Sequence, residues 1–575
     1  MPNKIIILGG GVAGMSAAHE LSERGFSVEV FERQPKIAGG KARSVPVPGT
    51  AVGSNKDLPG EHGFRFFPGF YRHVTDTMKR IPFKDNKMGV FDNLVDTHTI
   101  MLARFGKSSI TVPDDFPTTL EELELIIKAI FTSDTGLTKE DIHFFASRIW
   151  QLMTSCKERR LAEYESVGWW EYLEADSHSA AYRSLFVLGL TRSLVAAKAE
   201  EASTRTVGDI FLQLLYNMLD PFVASDRVLN GPTNEVWINP WLEYLTQKRG
   251  VVYHFGHEVV KINSDGHKIT GVELKLADGT TKKIEEDAYY ISALPVERQY
   301  ALMNDVLNKM DPSLYTLKDL ADDVNWMNGI QFYLTDYTPI NQGHVIYSDS
   351  PWALTSISQK QFWKDIDLSA YGDGKVKDIL SVDISDWFTV GLNGKKAVDC
   401  TKEEVKEEVW AQLKKSLNVN GATVLRDEML HHWYLDSDII FNPYSPASNE
   451  EPLLVNKVNS WTLRPEAYTR IQNLFLASDY VRTYTDLATM EGANEAARRA
   501  VNAILDIENS NKPLCKIWEL YEPWLLSPLR WDDEERFKKG LPWKSQLSFK
   551  VKFVLILEKI FVKAVKLIKR IFILK

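Results

Sequence analysis

The fold is decided by the stretch Lys4-Ile5-Ile6-Ile7-Leu8, followed at once by Gly9-Gly10-Gly11-Val12-Ala13-Gly14 and by a helical pattern from Met15 to Arg24. A short β-branched run, a glycine turn and a helix form the first part of a dinucleotide-binding unit. Gly9 permits the turn, Gly11 lets the backbone approach a pyrophosphate, and Gly14 lets the helix pack closely on the strand. Val12 and Ala13 open the helix, whose free N–H groups face the phosphates. The sequence therefore predicts an α/β fold with a Rossmann-type domain.

A second strand supports this interpretation, because Ser27 to Phe31 is again mostly apolar and ends in Glu32, 18 residues beyond Gly14. A carboxylate at that place accepts hydrogen bonds from both ribose hydroxyls and repels a 2′-phosphate. A glycine-rich loop alone would be weak evidence. The strand before it, the helix after it and the acid that follows favour a bound dinucleotide.

A second glycine pair, Gly39-Gly40-Lys41, follows Glu32 and Arg33 closely. It resembles the G-G-R/K motif of glutathione-reductase-type and amine-oxidase-type flavoproteins, so FAD is expected rather than NAD. The bare backbone and the Lys41 ammonium offer a second contact to the pyrophosphate.

The segment Glu61-His62-Gly63-Phe64-Arg65-Phe66-Phe67-Pro68-Gly69-Phe70-Tyr71 resembles the signature of the phytoene and ζ-carotene desaturases, within the flavin amine oxidoreductase superfamily. Further segments that resemble this family follow in order: Leu229–Pro232, Val259–Ile262, Asp278-Gly279, Ala293–Pro295, Leu476–Tyr480 and Leu487–Ala493. The resemblance implies a Rossmann-type FAD-binding domain with an inserted α+β substrate domain.

Together, the motifs and the resemblance imply a set of cofactor-binding residues: Gly9, Gly11, Val12, Ala13, Gly14, Glu32, Arg33, Gly39, Gly40, Lys41, Arg65, Phe66, Val259, Asp479, Met490 and Ala493. By the resemblance, Asp479 hydrogen-bonds the ribityl or pyrophosphate region, and Met490 faces the pyrimidine edge of the flavin with the N-terminus of a helix from Glu491 to Leu505. Arg65 replaces the family's His near the isoalloxazine. It is expected either to contact the flavin or a polar substrate group, or to pair with an interior acid such as Glu61.

The chain divides by its motifs into an FAD domain of residues 1–75, 225–300 and 465–507 and a substrate domain of residues 76–224 and 301–464. Residues 115–225 are expected to be mostly helical, and residues 325–440 to mix strands with helices. Residues 508–543 are interpreted as a linker or collar, and residues 544–575 as a basic amphipathic helix.

The carboxyl-terminal segment carries nine Lys or Arg and one Glu, whereas residues 1–543 have a net charge of −17. On a helical wheel five cations, Lys552, Lys559, Lys563, Lys566 and Arg570, share a sector of about 60°, with apolar residues opposite. This pattern is typical of a helix that lies on an anionic membrane surface, while docking on the acidic body or on a partner is the alternative. The three cysteines form no C-x-x-C pair and no secretory signal is recognised, so a cytoplasmic peripheral membrane protein is expected.

The sequence does not favour a metal site, a tryptophan-lined tunnel or a nucleic-acid surface. The histidines at 254, 257, 267, 431 and 432 show no metal-ligand spacing, so no metal is expected. The tryptophans between 169 and 387 are interpreted mainly as core residues rather than as a tunnel lining. Outside the tail there is no basic, aromatic-interleaved pattern that would indicate a nucleic-acid partner.

The function expected from these features is that of an FAD-dependent oxidoreductase acting on a lipophilic, isoprenoid or carotenoid-like small molecule. Flavin N5 would accept a hydride from an allylic carbon, with a membrane quinone as the electron acceptor. Alternatives are a redox-neutral isomerase, a reductive enzyme of the hydroxysqualene dehydroxylase kind, an amine oxidase, and a membrane-recruited FAD-binding module. No catalytic base is identified, with His62 and Tyr71 as the candidates considered.

Overall fold

The structure is a computed structural model that describes residues 4–97, 99–105, 120–130, 135–189, 191, 198–219, 226–442 and 444–545. The amphipathic helix predicted for residues 544–575 lies almost wholly outside the described residues, which end at Ser545. In the described part of the chain, no helix is long and apolar enough to cross a bilayer.

A parallel five-stranded sheet forms the Rossmann-type domain. Its strands, in spatial order, are Leu474–Leu476, Tyr289–Ser292, Lys4–Leu8, Ser27–Glu32 and Val252–Phe255. The central strand is buried almost throughout, as its continuous β-branched run predicts for a sheet covered on both faces. Helices Val12–Glu23 and Met490–Ile507 pack against each other beside it. The strands of this sheet come from the three chain segments predicted for the FAD domain.

A three-stranded antiparallel sheet follows the edge strand Val252–Phe255 in the chain. Its order is Thr281–Glu285, Ile269–Leu276 and His257–Ser264. Gly279, at φ +83°, lies in the turn between Ile269–Leu276 and Thr281–Glu285. Asp278-Gly279, one of the segments that resemble the desaturase family, therefore forms the turn of a β-hairpin.

A larger, mostly antiparallel sheet forms the opposite side of the molecule. Its order is Leu430–Leu435, Asn328–Leu334, Asp378–Ile384, Leu354–Ser358, Val345–Tyr347 and Met101–Ala103, with the last two strands parallel. Helix Lys402–Leu417 covers it, with Val405, Val409 and Leu413 in one apolar cluster with the sheet. The mixture of strands and helices predicted for residues 325–440 is thus observed.

The remaining elements connect these layers. Short strand pairs are Ser44–Pro46 with Pro59–Glu61, Leu94–Asp96 with Arg227–Leu229, Val324–Asn325 with Leu453–Leu454, and Ile439–Asn442 with Ser445–Asn449. Further α-helices are His73–Met78, Leu120–Ile130, Lys139–Thr154, Lys157–Arg159, Trp169–Tyr172, Ala180–Tyr182, Thr204–Leu219, Asn239–Glu243, Val296–Ala301, Asp305–Met310, Leu317–Asp322, Ser460–Leu463 and Ser527–Lys538. Segments with π-helical turns are Arg160–Tyr164, Arg183–Leu188, Asn234–Ile238 and Tyr244–Lys248. The described part of residues 115–225 is mainly helical, as expected.

The predicted linker of residues 508–543 is a packed part of the molecule. It contains helix Ser527–Lys538, which the sequence analysis did not predict. Asp533 of this helix is buried and accepts a hydrogen bond from Nε of Arg159 at 3.0 Å. A buried ion pair thus ties this segment, interpreted from the sequence as a linker or collar, to helix Lys157–Arg159.

Candidate cofactor and substrate cleft

A cleft of about 520 Å³ opens at the carboxyl ends of the parallel strands and extends to the larger sheet. In open α/β sheets, ligands bind outside the carboxyl ends of the strands. One wall carries the glycine turn that follows Lys4–Leu8, and the other carries Met327 and Asp383 from the larger sheet and the segment before it.

The glycine turn has the geometry that its sequence predicts. Gly9 adopts φ +100°, a left-handed conformation that favours glycine. A Cβ on Gly14 would lie 2.0 Å from the carbonyl oxygen of Gly9, and one on Gly10 would lie 1.8 Å from the hydroxyl of Tyr253. Gly9 is thus required by its backbone conformation, and Gly10 and Gly14 because the protein itself leaves no room for a side chain.

Gly11 differs from these three glycines. A Cβ there would meet nothing closer than the Cα of Gly40, at 3.6 Å, so the protein leaves room on its cleft side. Gly39 and Gly40 adopt φ +105° and +55°, and the Gly39 N–H donates to the Gly10 carbonyl oxygen at 3.2 Å. The two bare glycine segments thus lie side by side at the N-terminus of helix Val12–Glu23, which fits a bound pyrophosphate.

Glu32 lines the cleft at the end of the second strand. Its Oε2 accepts the Gly10 N–H and its Oε1 accepts the Gln34 N–H, each at 2.7 Å. Burial raises the pKa of the Glu32 carboxyl, while these two backbone bonds oppose the increase. A carboxylate has about four acceptor positions, so this fixed side chain retains capacity for the ribose hydroxyls.

Two of the three basic residues of the predicted set, Arg33 and Lys41, contact the segment that follows the hairpin at residues 439–449. Arg33 forms an ion pair with Glu451, and the Lys41 ammonium donates to the Pro452 carbonyl oxygen. Lys41 also lies 3.9 Å from Oε1 of Glu297. The Lys41 ammonium is therefore held between Pro452 and helix Val296–Ala301.

Every residue of the predicted cofactor set except Gly14 lines the cleft: Gly9, Gly11, Val12, Ala13, Glu32, Arg33, Gly39, Gly40, Lys41, Arg65, Phe66, Val259, Asp479, Met490 and Ala493. Gly14 lies behind the turn, where its missing side chain permits the close approach to Gly9. Residues that are far apart in sequence are thus brought to one cavity.

Residues 476–480 and 487–493 supply the carboxyl-terminal members of the predicted cofactor set. Helix Met490–Ile507 begins one residue earlier than predicted, and its N-cap Thr489 accepts the Gly492 N–H at 3.1 Å. The Asp479 carbonyl oxygen accepts a bond from Nη1 of Arg464 at 2.5 Å, which fixes the backbone at this acid. The N-terminus of the helix faces the cleft, where its dipole favours negative charge.

Arg65 is half-buried in the cleft, with its guanidinium directed at backbone carbonyls. Nη2 donates to the Lys41 carbonyl oxygen, and Nε donates to that of Ala42 at 3.4 Å. Burial lowers the pKa of Arg65, although the Glu61 and Asp383 carboxyls oppose this. The contacts formed are these carbonyls rather than the ion pair with Glu61 that was the alternative expectation.

Two buried acids lie near Arg65. Glu61 Oε1 accepts the Thr233 N–H at 3.1 Å, and Asp383 Oδ1 accepts the Phe64 N–H at 3.3 Å. Burial raises the pKa of each carboxyl to about 7, against the opposing charge of Arg65. Of the two, Asp383 lines the cleft.

A compact charged group surrounds His62. Its Nδ1 lies 2.7 Å from Oδ2 of Asp436 and 3.6 Å from Oδ2 of Asp438, and Arg43 pairs with Asp438 at 2.6 Å. Among the described residues, this is the group of three ligand atoms close enough to hold a metal. Although burial opposes its charge, the Asp436 carboxylate raises the pKa of His62 to about 9. The contacts among His62, Asp436, Asp438 and Arg43 form a buried ion-pair network beside the cleft.

The histidines considered from the sequence are not assembled into a site in the described structure. His254 pairs with Glu29 at 2.9 Å, and His431 pairs with Asp373 at 3.0 Å. The tryptophans serve as core residues, as expected, since Trp169, Trp237, Trp241, Trp352 and Trp387 are fully buried. None of them lines the cleft.

Neither proton acceptor considered from the sequence suits that role at neutral pH, although both line the cleft. His62 is charged below a pKa of about 9, and burial raises the pKa of Tyr71 above its usual value, which keeps its phenol neutral. Asp383 was missed by the sequence analysis. Its signal was an acid within the apolar strand Asp378–Ile384.

Part of the cleft lining is apolar. Ile210 and Leu214 come from helix Thr204–Leu219, and Met327 comes from the segment before the larger sheet. Phe64, Phe66 and Phe70 come from the segment after Glu61. Phe66 stacks edge-on against His344, with ring centroids 5.0 Å apart. Such a lining receives an apolar molecule and excludes water.

Comparison with known proteins agrees with this geometry. The family model described as flavin containing amine oxidoreductase matches residues 12–505. The 15-cis-phytoene desaturase of Synechococcus elongatus is 21% identical over 87% of this chain and 96% of its own length. The zeta-carotene desaturase of a Synechocystis species is 25% identical over 87% of this chain and 97% of its own length.

Solved structures share the fold. An oxidoreductase from Methanosarcina mazei superposes with a TM-score of 0.57 at 15% identity, covering 88% of this chain and 100% of its own. Putrescine oxidase bound to putrescine gives a TM-score of 0.57 at 14% identity, covering 88% of this chain and 99% of its own.

Proposed function

Because the chain belongs to the flavin containing amine oxidoreductase family and is an FAD-dependent oxidoreductase, we propose that it desaturates a lipophilic, isoprenoid or carotenoid-like molecule. The observation that carries this proposal is the cleft itself. Its polar end has the glycine turn and Glu32, and its apolar part has Ile210, Leu214 and the aromatic segment after Glu61.

The residues present fit FAD. Gly11 and Gly40 would receive the pyrophosphate, Glu32 the ribose, and Asp479 and the N-terminus of the helix at Met490 the flavin end. FAD, when bound, supplies a hydride acceptor at flavin N5. The larger sheet and the helices described between residues 120 and 219 would form the substrate domain that covers the cofactor.

The contribution of the chain to the reaction is positioning, exclusion of water and control of charge. Aliphatic and aromatic side chains hold an extended hydrocarbon without a polar group to anchor it, so shape and burial orient the reacting carbon. The Arg65 guanidinium contacts the Lys41 carbonyl oxygen and adds positive charge to the cleft near Asp383.

We further propose that the protein collects its substrate, and passes electrons to a quinone, at an anionic membrane surface. The support is the basic amphipathic pattern of residues 544–575 in an otherwise acidic chain. Both partners dissolve in lipid, so attachment to the surface shortens their path to the cleft.

Anaerobic mixing of the flavin-loaded protein with phytoene or ζ-carotene in detergent micelles tests the main proposal. We expect the visible flavin band to bleach and the product to gain a double bond, as measured by absorption and mass spectrometry. Putrescine is the matched amine control. Bleaching by putrescine and not by either polyene would assign an amine oxidase, whereas double-bond isomerisation without net oxidation would assign the redox-neutral alternative.

Co-sedimentation with liposomes tests the membrane proposal. The full chain should pellet with anionic vesicles and remain in solution with vesicles of neutral phosphatidylcholine. A variant lacking residues 544–575 should remain in solution with both. Undiminished pelleting of that variant with anionic vesicles would place the membrane contact elsewhere.

A further inference from the structure

One carboxylate reaches the cleft from the larger sheet. Asp383 lies in strand Asp378–Ile384, opposite Gly329 on one side and Thr355 on the other. A Cβ on Gly63 would lie 2.7 Å from Asp383 Oδ1, and one on Gly329 would lie 2.8 Å from the Gly63 Cα. The two glycines therefore let the strand approach the segment after Glu61 so closely that the carboxylate meets the cavity.

The hydrogen bonding of Asp383 leaves one oxygen available. Oδ1 accepts the Phe64 N–H at 3.3 Å, while Oδ2 accepts no hydrogen bond from the described residues. The side chain lines the cleft although the residue is only 8% exposed. Asp378, in the same strand, provides the contrast, because its carboxylate accepts the N–H groups of Thr338, Lys360 and Ile379. Asp378 is thus satisfied by the fold, whereas Asp383 faces whatever occupies the cleft.

The charged groups that face Asp383 come from several elements. They are Arg65, His62 and Glu61 from the aromatic segment, His344 beside strand Val345–Tyr347, and Asp436, which pairs with His62. Burial outweighs the nearby cations and raises the pKa of the Asp383 carboxyl to about 7. A base of that strength is suited to proton transfer near neutral pH.

We propose that Asp383 is the proton acceptor of the desaturation, taking the proton from the carbon next to the one that loses hydride. This inference rests on the proposed function. One C–H bond releases a hydride, whose electron pair passes to an oxidised flavin. The neighbouring C–H bond releases a proton to Oδ2 of Asp383, and its electron pair forms the new C=C bond. The proton then leaves to solvent, and the positive charge of Arg65 opposes the effect of burial on the Asp383 carboxyl.

Infrared absorption tests the acid without any substrate. The wild-type protein should lose protonated-carboxyl absorption as the pH rises through about 7, with contributions from Asp383 and Glu61. Asp383→Asn should remove one contribution and Glu61→Gln the other, while Asp378→Asn should leave both. Absence of any Asp383 contribution near neutral pH would contradict the proposal.

Stability separates a reactive acid from a structural one. The raised pKa means that ionising Asp383 destabilises the folded state, so stability falls as the pH rises from about 4 to about 7. Asp383→Asn should therefore melt at a higher temperature than wild type at pH 8. Asp378→Asn should melt at a lower one, because its amide cannot accept all three backbone N–H groups. A lower melting temperature for Asp383→Asn would indicate a structural role instead.

Turnover tests the assignment itself. Asp383→Asn should bind FAD and reduce it with polyene at least about 100-fold more slowly than wild type, with the rise in rate through pH 7 abolished. An unchanged rate and pH profile in this variant would overturn the inference while leaving the proposed function intact. If no polyene reduces the wild-type flavin, the proposed function fails, and the infrared result still reports on the acid.

Discussion

The two walls of the cleft are built by different means. The nucleotide wall is backbone, shaped by glycines whose side-chain positions are filled by Gly9 or Tyr253. The opposite wall is a set of charged side chains around Arg65 and Asp383. The carboxylates of the two walls differ as well. Glu32 of the nucleotide wall accepts a backbone N–H at each oxygen, whereas Asp383 of the opposite wall accepts one at Oδ1 alone.

This difference separates binding from reactivity. A carboxylate fixed by two backbone N–H groups is a rigid acceptor that suits a cofactor hydroxyl. Burial raises the pKa of both carboxyls, and of the two only Asp383 combines this shift with an oxygen that accepts no hydrogen bond from the described residues, as is typical of functional sites. Each wall can be altered separately, so the comparison can be tested by substitution.

The largest effect is expected at the nucleotide wall. Gly14→Ala places a methyl group against the Gly9 carbonyl and should lower the free energy of unfolding by about 5 kcal/mol or more. Gly11→Ala is the matched control, because its methyl group has room in the protein and should leave the apoprotein stable. Its FAD affinity should nevertheless fall by about 100-fold, since the methyl group fills the pyrophosphate approach.

Urea denaturation and flavin absorbance measure the two losses. Equal destabilisation of the apoprotein by both substitutions would contradict separate roles for Gly14 in packing and for Gly11 in cofactor approach.

The next effect concerns the charged wall and its pH dependence. Because the pKa of His62 is raised from 6.5 to about 9, the stabilisation from its pair with Asp436 is complete below pH 6.5 and is lost as the pH rises through 9. His62→Gln should lower the free energy of unfolding at pH 6 by about 3 kcal/mol and by much less at pH 10. Denaturation series across this pH range provide the measurement. A constant difference at every pH would exclude the charged pair as its source.

The smallest effect is expected where the walls meet. Glu451 is only 8% exposed, pairs with Arg33 and lies 3.4 Å from Arg43. Because Arg33 is partly exposed and Arg43 keeps its pair with Asp438, Glu451→Gln should destabilise the protein by about 1 to 2 kcal/mol. Glu450→Gln is the control, because its pair with Arg298 is well exposed and should change stability by less than about 0.5 kcal/mol. Thermal denaturation at low and high salt distinguishes them. Equal effects would mean that burial does not set the strength of these pairs.

The two walls also differ in how far local sequence determines them. Gly9, Gly14 and Glu32 were predictable because strand and turn are properties of neighbouring residues, whereas the role of the helix at Met490 came from the family resemblance. The docking of helix Ser527–Lys538 was not predicted, since it depends on an ion pair between Arg159 and Asp533, 374 positions apart.

The amino-acid sequence by itself determined the Rossmann-type unit, its FAD and most of the residues that line the nucleotide wall, because these depend on local conformation and on short motifs. The tertiary structure decided which carboxylate faces the cleft. Phe64 and Asp383 are 319 positions apart, and their contact exists only because two glycines let separate segments approach each other. Burial of a charged group, and therefore its pKa, is a property of that packing and not of the residue alone.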